Sequence, residues 1–400
     1  MTLLRTAIAL LLLLSVACGS RSSSTQKTSD GQTTTVDISV ADPLGDQESE
    51  SDLETLDDTT NVDLAQSDDL GESPDGVEPT EDQTTSIDAD DSSIVEPQQP
   101  KLFVGPDDLE PTIVAAINGA KTSIYLTIYQ ITQTVFSDAL IAAHDRGVDV
   151  KVITDRQQAT VNEYIVGKLT DAGIEVKPST SYFVYTHSKS LVIDGSTLIV
   201  MSMNLIKFSM TTERNYGLID TQSDHVKDAT EVFWADWEYR SPKIDGTDLV
   251  VAPQNARQRL LDLVKSATKT LDFQQMQFSD PEFQQAVLEK IAEGVVVRIL
   301  LATPTWITAN RGVACVFDQV GQKSYFQTSV SNHAKLIVAD KSRAFIGSVN
   351  LSTNSLNNNR EIGLISDDAD VVKGVLAVYD ADWETRAEIY YDVNKSCDQQ

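Results

Sequence analysis

Four landmarks recur in this chain at a constant offset of 146 residues: His187 and His333, Asn204 and Asn350, Gly217 and Gly363, and the Ala-Asp-Trp-Glu tetrads that begin at Ala235 and Ala381. One duplication explains all four, so residues 101–400 are expected to fold as two similar halves. The patterns upstream of the landmarks agree. In the first half, Ile113, Val114 and Ile117 fall at helical spacing within 111–121, residues 123–131 alternate apolar and polar, 137–144 is helical again, and 148–153 is an apolar strand. The second half repeats this over 256–267, 270–278, 281–293 and 295–301. Gly147 and Gly294 stand where the second helix of each half must stop. Alternating helices and strands of this kind predict an α/β fold with a largely covered sheet in each half.

The first half then carries Thr-His-Ser-Lys-Ser-Leu-Val-Ile-Asp and the second Asn-His-Ala-Lys-Leu-Ile-Val-Ala-Asp, each followed by a short strand and a polar Ser-x-Asn. Written by residue, His187, Lys189 and Asp194 precede Ser202 and Asn204, while His333, Lys335 and Asp340 precede Gly347, Ser348 and Asn350. Alternation along a strand puts a histidine and a lysine two residues apart on one face. Phosphodiester cleavage without a metal needs a nucleophile, an acid for the leaving oxygen, and fixed positive charge or hydrogen-bond donors around the phosphoryl oxygens. Two such copies facing each other supply all three.

The doubled motif closely resembles the phospholipase D superfamily signature, H-x-K-x4-D-x6-G-S-x-N, over about residues 101–390. The resemblance implies a duplicated fold of two mixed β-sheets flanked by helices, related by a pseudo-two-fold axis with one active site between them. It also implies a division of labour. One histidine forms a covalent phosphohistidine, and the other protonates the departing alcohol and later activates water. In relatives the nucleophile usually comes from the N-terminal copy, here His187, leaving His333 as acid and then base. Lys189, Lys335, Asn204, Asn350 and the hydroxyls of Ser202 and Ser348 would bind phosphate. Asp194 and Asp340, although part of the signature, are expected to position their neighbours or tune local charge. Glu361 occupies a place where relatives often carry a carboxylate in contact with an active-site histidine. At the matching place of the first half stands Asn215, with Glu213 two residues before it, the reverse of Asn359 and Glu361.

Met201 stands where the signature expects glycine and where the second half has Gly347. Glycine there would let a backbone approach a ligand closely, so methionine is expected to narrow the pocket, alter substrate choice or weaken turnover. Trp237 and Trp383 lie late in each half on amphipathic helices and are expected in the core. His144 and His225, at a helix end and in a polar loop, carry no comparable pattern.

Ahead of this region, Arg5 and the apolar run Ala7–Leu14 read as a secretory signal over residues 1–17, too short to span a bilayer, which takes about 20 apolar residues. Ser15-Val16-Ala17-Cys18 followed by Gly19 and Ser20 resembles a bacterial lipobox, in which Cys18 would be lipidated, with ordinary signal-peptidase cleavage as the alternative. Residues 19–100 hold 22 acidic residues against two basic ones and almost no aromatic residue, so 18–100 is expected to be a disordered acidic linker. The organisation is thus signal peptide 1–17, linker 18–100, and two repeats, 101–248 and 249–393. The expected location is outside the cytoplasm, anchored to a bacterial membrane by the N-terminal lipid. There Cys315 and Cys397 could pair as a disulfide. No metal-ligand spacing or nucleotide loop is present, and no cofactor is expected. Both motifs lie in one chain, so a monomer suffices for catalysis. The repeats remain net acidic by about ten charges, which disfavours a nucleic-acid surface and favours a phospholipid substrate. A nuclease, a phosphatidyltransferase and a phosphate-binding protein without turnover stay as alternatives.

Overall fold

Each half begins with a strand that lies at the far end of its own sheet. In the computed structural model, which describes residues 99–400 apart from 245 and 247, the first sheet runs in space Lys101–Gly105, Glu213–Asp220, Thr197–Met201, Lys189–Ile193, Ser123–Ile128, Asp149–Thr154 and Glu175–Pro178. The second runs Leu249–Ala252, Glu361–Ser366, Arg343–Gly347, Lys335–Ala339, Thr270–Gln275, Val296–Leu301, Tyr325–Gln327 and Arg386–Glu388. The same order, with parallel pairing on one side and antiparallel on the other, makes both sheets mixed, as expected. The signal peptide, Cys18 and the linker fall outside the described residues.

The helices fall close to the expected segments, at Leu109–Gly119, Thr134–Asp145, Ala256–Ser266 and Pro281–Glu293. Gly294 caps the last of these in the left-handed conformation at φ 92°, which side chains disfavour. The motif strands Lys189–Ile193 and Lys335–Ala339 are buried along their whole length. The reason is a two-sided burial. Leu191 and Ile193 pack into a core under the first half's own helices, and Ile337 and Ala339 into its counterpart. Between the sheets lies a third, shared core that includes Val192, Val200 and Leu218 from the first half and Leu336, Ile346 and Leu364 from the second.

The halves do not part as independent domains at residue 248. Ser331–Asn332 of the second half adds in parallel to Glu213–Arg214 of the first, and Thr186 of the first bridges Arg360 of the second. The tail beyond 393 belongs to the fold too, because Cys397 forms a disulfide with Cys315 on helix Asn310–Asp318. Trp237 is buried against Phe233 and Trp383 packs on Tyr379. Both therefore serve the core, as expected.

Met201 points into the first half's own core beside Phe103 and Met203, so the expectation that it narrows the pocket is corrected. It pairs in register with Gly217, as Gly347 pairs with Gly363. At Gly347 an added Cβ would lie 2.4 Å from Gly363 Cα and 3.1 Å from the Phe345 ring. The first half has the smaller Ile199 in place of Phe345, and Met201 occupies the volume. The exchange is one of packing. Met201→Ala is accordingly expected to cost about 2–5 kcal/mol of stability through an unfilled cavity while leaving KM unchanged, which urea unfolding and steady-state kinetics together would check.

Among the described residues, two arginine–aspartate ion pairs cross between the halves. Arg360, almost fully buried, binds Asp236 of the first tetrad through Nε and Nη2 at 2.8–3.1 Å and donates from Nη1 to the Ala252 carbonyl. Arg214 forks onto Asp382 of the second tetrad at 2.8 and 3.1 Å and donates to the Gly105 carbonyl at 2.7 Å. Removing one partner strands a buried charge. Asp236→Ala is expected to destabilise by about 3–5 kcal/mol in equilibrium unfolding, far more than loss of an exposed pair such as Lys290 with Glu293.

Candidate active site

The site is built where the two motif strands begin. The strands start at Lys189 and Lys335, so each histidine sits on the lead-in, two residues before, and each lysine turns back to donate to the carbonyl of its own histidine, at 2.7 and 2.8 Å. All four side chains are buried: His187 is 4% exposed, His333 3%, Lys189 0% and Lys335 1%. Both lysines act electrostatically on Glu213, and Lys189 on Glu361 as well.

Each histidine is oriented by the other half. Glu361 Oε2 lies 2.9 Å from His187 Nδ1, and Asn215 Oδ1 lies 2.9 Å from His333 Nδ1. Asn215 is thus the counterpart of Glu361 in the first half, and Glu213 stands further off, 3.7 Å from His333 Nδ1. Asn215 donates from Nδ2 to Glu213 at 3.2 Å, which turns its amide oxygen toward His333 and the Ser202 hydroxyl. An accepting oxygen at Nδ1 fixes the proton there in both rings and leaves Nε2 for chemistry. Nε2 of His187 is buried with no hydrogen-bond partner among the described residues. The crossed ion pairs hold this arrangement, because Arg360 immediately precedes Glu361 and Arg214 immediately precedes Asn215. The His333 backbone N–H, in turn, donates to the Arg214 carbonyl.

Electrostatics separates the two rings' surroundings. Burial, together with the positive charge of Lys335, Lys189 and His187, holds His333 well below the ordinary histidine range. Burial works to raise Glu361, but His187 and Lys189 outweigh it and keep the carboxylate below its usual value. Burial raises Glu213 despite donors from Ser209 and Asn215. That His333 feels both Lys189 and His187 shows that the two motifs form one cluster, as expected.

Several expected roles change. Ser202 donates to Asn215 at 2.7 Å and accepts from the Tyr216 N–H, while Ser348 bonds the Ile362 backbone beside Glu361. Both hydroxyls are occupied in holding the partners of the histidines, which displaces the expectation that they bind phosphate. Asn204 and Asn350 keep a buried amide oxygen without a partner among the described residues. Rotation of either amide would turn its nitrogen into that space. Asp194 and Asp340 lie at the opposite end of each motif strand, about 20 Å of chain from the histidines, and so are removed from the reacting cluster. Asp194 accepts the N–H groups of Lys121, Thr122 and Ser123, and Asp340 those of Thr268, Lys269 and Thr270. Slight burial opposes ionisation at Asp340, but these donors bring it down to about 2. Both aspartates hold φ near +50° in their turns, a conformation that their short polar side chains tolerate.

The repeat could not reveal three residues that have no counterpart across it. Tyr129 sets its ring edge against His187 with centroids 4.8 Å apart and lies 4.9 Å from Lys189 Nζ. Trp306 lies nearly parallel to the His333 ring at 6.1 Å. Asp155 accepts the Thr186 N–H next to His187 at 2.5 Å. The Arg214–Asp382 and Arg360–Asp236 pairs were also missed, although all four residues obey the offset of 146 and were open to discovery by it. His225 bonds Asp220 at 2.5 Å, a local contact.

A family model described as "Cardiolipin synthase, PLD-like domain" matches residues 113–237 and 260–383. The mitochondrial cardiolipin hydrolase of Danio rerio is 31% identical over 123 residues, which are 31% of this chain and 54% of that protein. Cardiolipin synthase 2 of Bacillus anthracis is 22% identical over 332 residues, covering 72% of this chain and 65% of the synthase. The chain thus spans between about half and two thirds of these relatives. Among solved structures, phosphatidylserine synthase of Haemophilus influenzae superposes with a TM-score of 0.61 at 13% identity, over 73% of this chain and 87% of that one. Polyphosphate kinase of Porphyromonas gingivalis gives 0.59 at 16%, over 74% and 53%. Since the two matched stretches of the family model are the two halves whose histidines meet in this site, the chain belongs to the phospholipase D-like family.

Proposed function

We propose that this chain cleaves phosphodiester bonds of phospholipids through a phosphohistidine on His187. The observation that carries the assignment is the unequal pairing of the two histidines, a carboxylate on His187 and a neutral amide on His333. Attack by His187 Nε2 forms the P–N bond and leaves the ring positively charged. Glu361 on Nδ1–H stabilises that charge as it develops. The leaving alcohol takes the proton of His333 as the P–O bond breaks. An imidazolium whose surroundings disfavour it is a strong acid, and the negative charge of an arriving phosphodiester works against the burial and nearby positive charge that hold the His333 value down. In the second step water attacks phosphorus, His333 takes its proton, and the P–N bond breaks. Lys189, Lys335, Asn204 and Asn350 would hold the phosphoryl oxygens, so the reading requires no metal.

An alcohol in place of water turns hydrolysis into phosphatidyl transfer with the same residues. Similarity to both a cardiolipin hydrolase and cardiolipin synthases supports the two outcomes about equally. The acidic surface favours lipid over nucleic acid. We also propose that the protein is exported and anchored through Cys18, on the strength of the leader, and the Cys315–Cys397 disulfide suits an oxidising compartment.

The test uses the full chain with chelator, vesicles of phosphatidylglycerol or mixed phospholipids, and labelled oligonucleotides. Phosphatidate and free head group signify hydrolysis, a lipid with two phosphates signifies transfer, and cut oligonucleotide alone would overturn the lipid reading. His187→Ala and His333→Ala are each expected to lower phospholipid turnover by about a thousandfold or more. With a p-nitrophenyl phosphodiester, whose leaving group needs no protonation, His333→Asn should accumulate an acid-labile phosphoryl adduct. Appearance of that adduct in His187→Asn instead would reverse the two roles.

The depressed His333 also gives a pH signature. Its folded value lies below the unfolded one near 6.5, so the unfolded chain takes up the proton first. The stabilisation is complete above about pH 6.5 and is lost as pH falls from there toward the folded value. Urea unfolding followed from about pH 8 to 5 should show this loss, with a shallower slope in His333→Asn.

A further inference from the structure

The loops at the end of the sheets that holds the histidines differ in charge from the rest of the surface. Residues 101–400 are net acidic by about ten charges. Yet the segments 129–134, 179–188 and 202–212 of the first half and 302–309, 328–334 and 348–359 of the second contain no aspartate or glutamate, and of the carboxylates in the adjoining segments Asp155 and Asp280 are buried and Glu282 is ion-paired with Arg257. The strand register places these segments together. Ile128 pairs with Lys189, Ser190 with Val200, and Met201 with Gly217, so the segments adjoining these pairs leave the first sheet at one edge. The exposed acids on that edge, Asp107 and Asp108, lie beyond its outermost strand.

Apolar side chains project from these same loops. Tyr182 is 79% exposed and Val184 41%, while Phe183 between them is buried under the Arg360 guanidinium. The segment is held from beneath, since the Val184 N–H donates to the Asn358 carbonyl and Tyr185 packs against Tyr129. Tyr182 and Val184 therefore point outward from an anchored loop that leads directly into His187. Phe208, 50% exposed, follows Lys207 in the short helix after Asn204, and Trp306, half-buried, reaches from the same face down to His333.

From this juxtaposition we propose that the carboxylate-poor face around the site docks on a lipid bilayer, with Tyr182, Val184 and Phe208 entering the interfacial layer. The proposal rests on the phospholipid reading given above and names how that substrate reaches the buried site. Aromatic side chains favour the interfacial layer of a membrane. A face poor in exposed carboxylates and bearing aromatic side chains can approach a lipid surface, whereas the remaining acidic surface would be turned away. A nucleic acid would call instead for a row of cations, and Lys207 stands almost alone among these loops.

The experiment uses the full chain carrying Tyr182→Trp and vesicles of brominated phosphatidylcholine with or without one third phosphatidylglycerol. The added tryptophan is expected to be quenched on both kinds of vesicle, by apolar and aromatic contact with the interfacial layer. Tyr182→Ser combined with Phe208→Ser should lower turnover of vesicle phospholipid tenfold or more while leaving a water-soluble p-nitrophenyl phosphodiester within twofold. Cleavage of vesicle lipid with no quenching of the added tryptophan would overturn the docking face while leaving the proposed reaction intact. Quenching without lipid cleavage would uphold the docking face and count against the reaction. A change of emission on adding oligonucleotide but not vesicles would overturn the proposal in favour of a nucleic-acid surface.

Discussion

The exchange of polar partners between the halves is the constraint on which the remainder of the site depends. Arg360 reaches Asp236, Arg214 reaches Asp382, Glu361 reaches His187 and Asn215 reaches His333, each from one half to the other. These groups are buried or nearly so, where an unmatched charge is destabilising by several kcal/mol. The register between halves is therefore set by the same residues that orient the rings. Apolar packing in the shared core brings the sheets together, but it is indifferent to a small slide. The crossed pairs are not, because a bidentate guanidinium has one good geometry.

Much of this was legible in the sequence because duplication repeats a signal, and two copies at one offset mark His187, His333, Lys189 and Lys335 far more sharply than either copy alone. The alternation of helices and strands in each half followed from the same source. What could not be read was which half each partner serves. Glu361 lies in the second half and orients the first half's histidine, a relation that linear order conceals. Parity explains the correction at Met201. Met201 and Ser202 are adjacent in an extended segment and so point to opposite sides. Ser202 is on the site's side, which leaves Met201 in the core. Asp194 stands seven residues after His187 along a nearly straight strand, and its role at the far turn follows from that distance. Tyr129 and Trp306 were invisible for a different reason, having no repeat partner to draw attention to them.

The duplication has a chemical consequence of its own. Two identical chains meeting about a true two-fold axis would have to give both histidines the same neighbour, and nucleophile and acid would start out as equals. Joining the copies in one polypeptide lifts that restriction, since each position can then change without its mate. The site bears the trace of this freedom most directly at the histidines' partners, where Asn215 stands opposite Glu361. Under the proposed assignment, this difference between the halves is what gives direction to a reaction that symmetry would leave undecided.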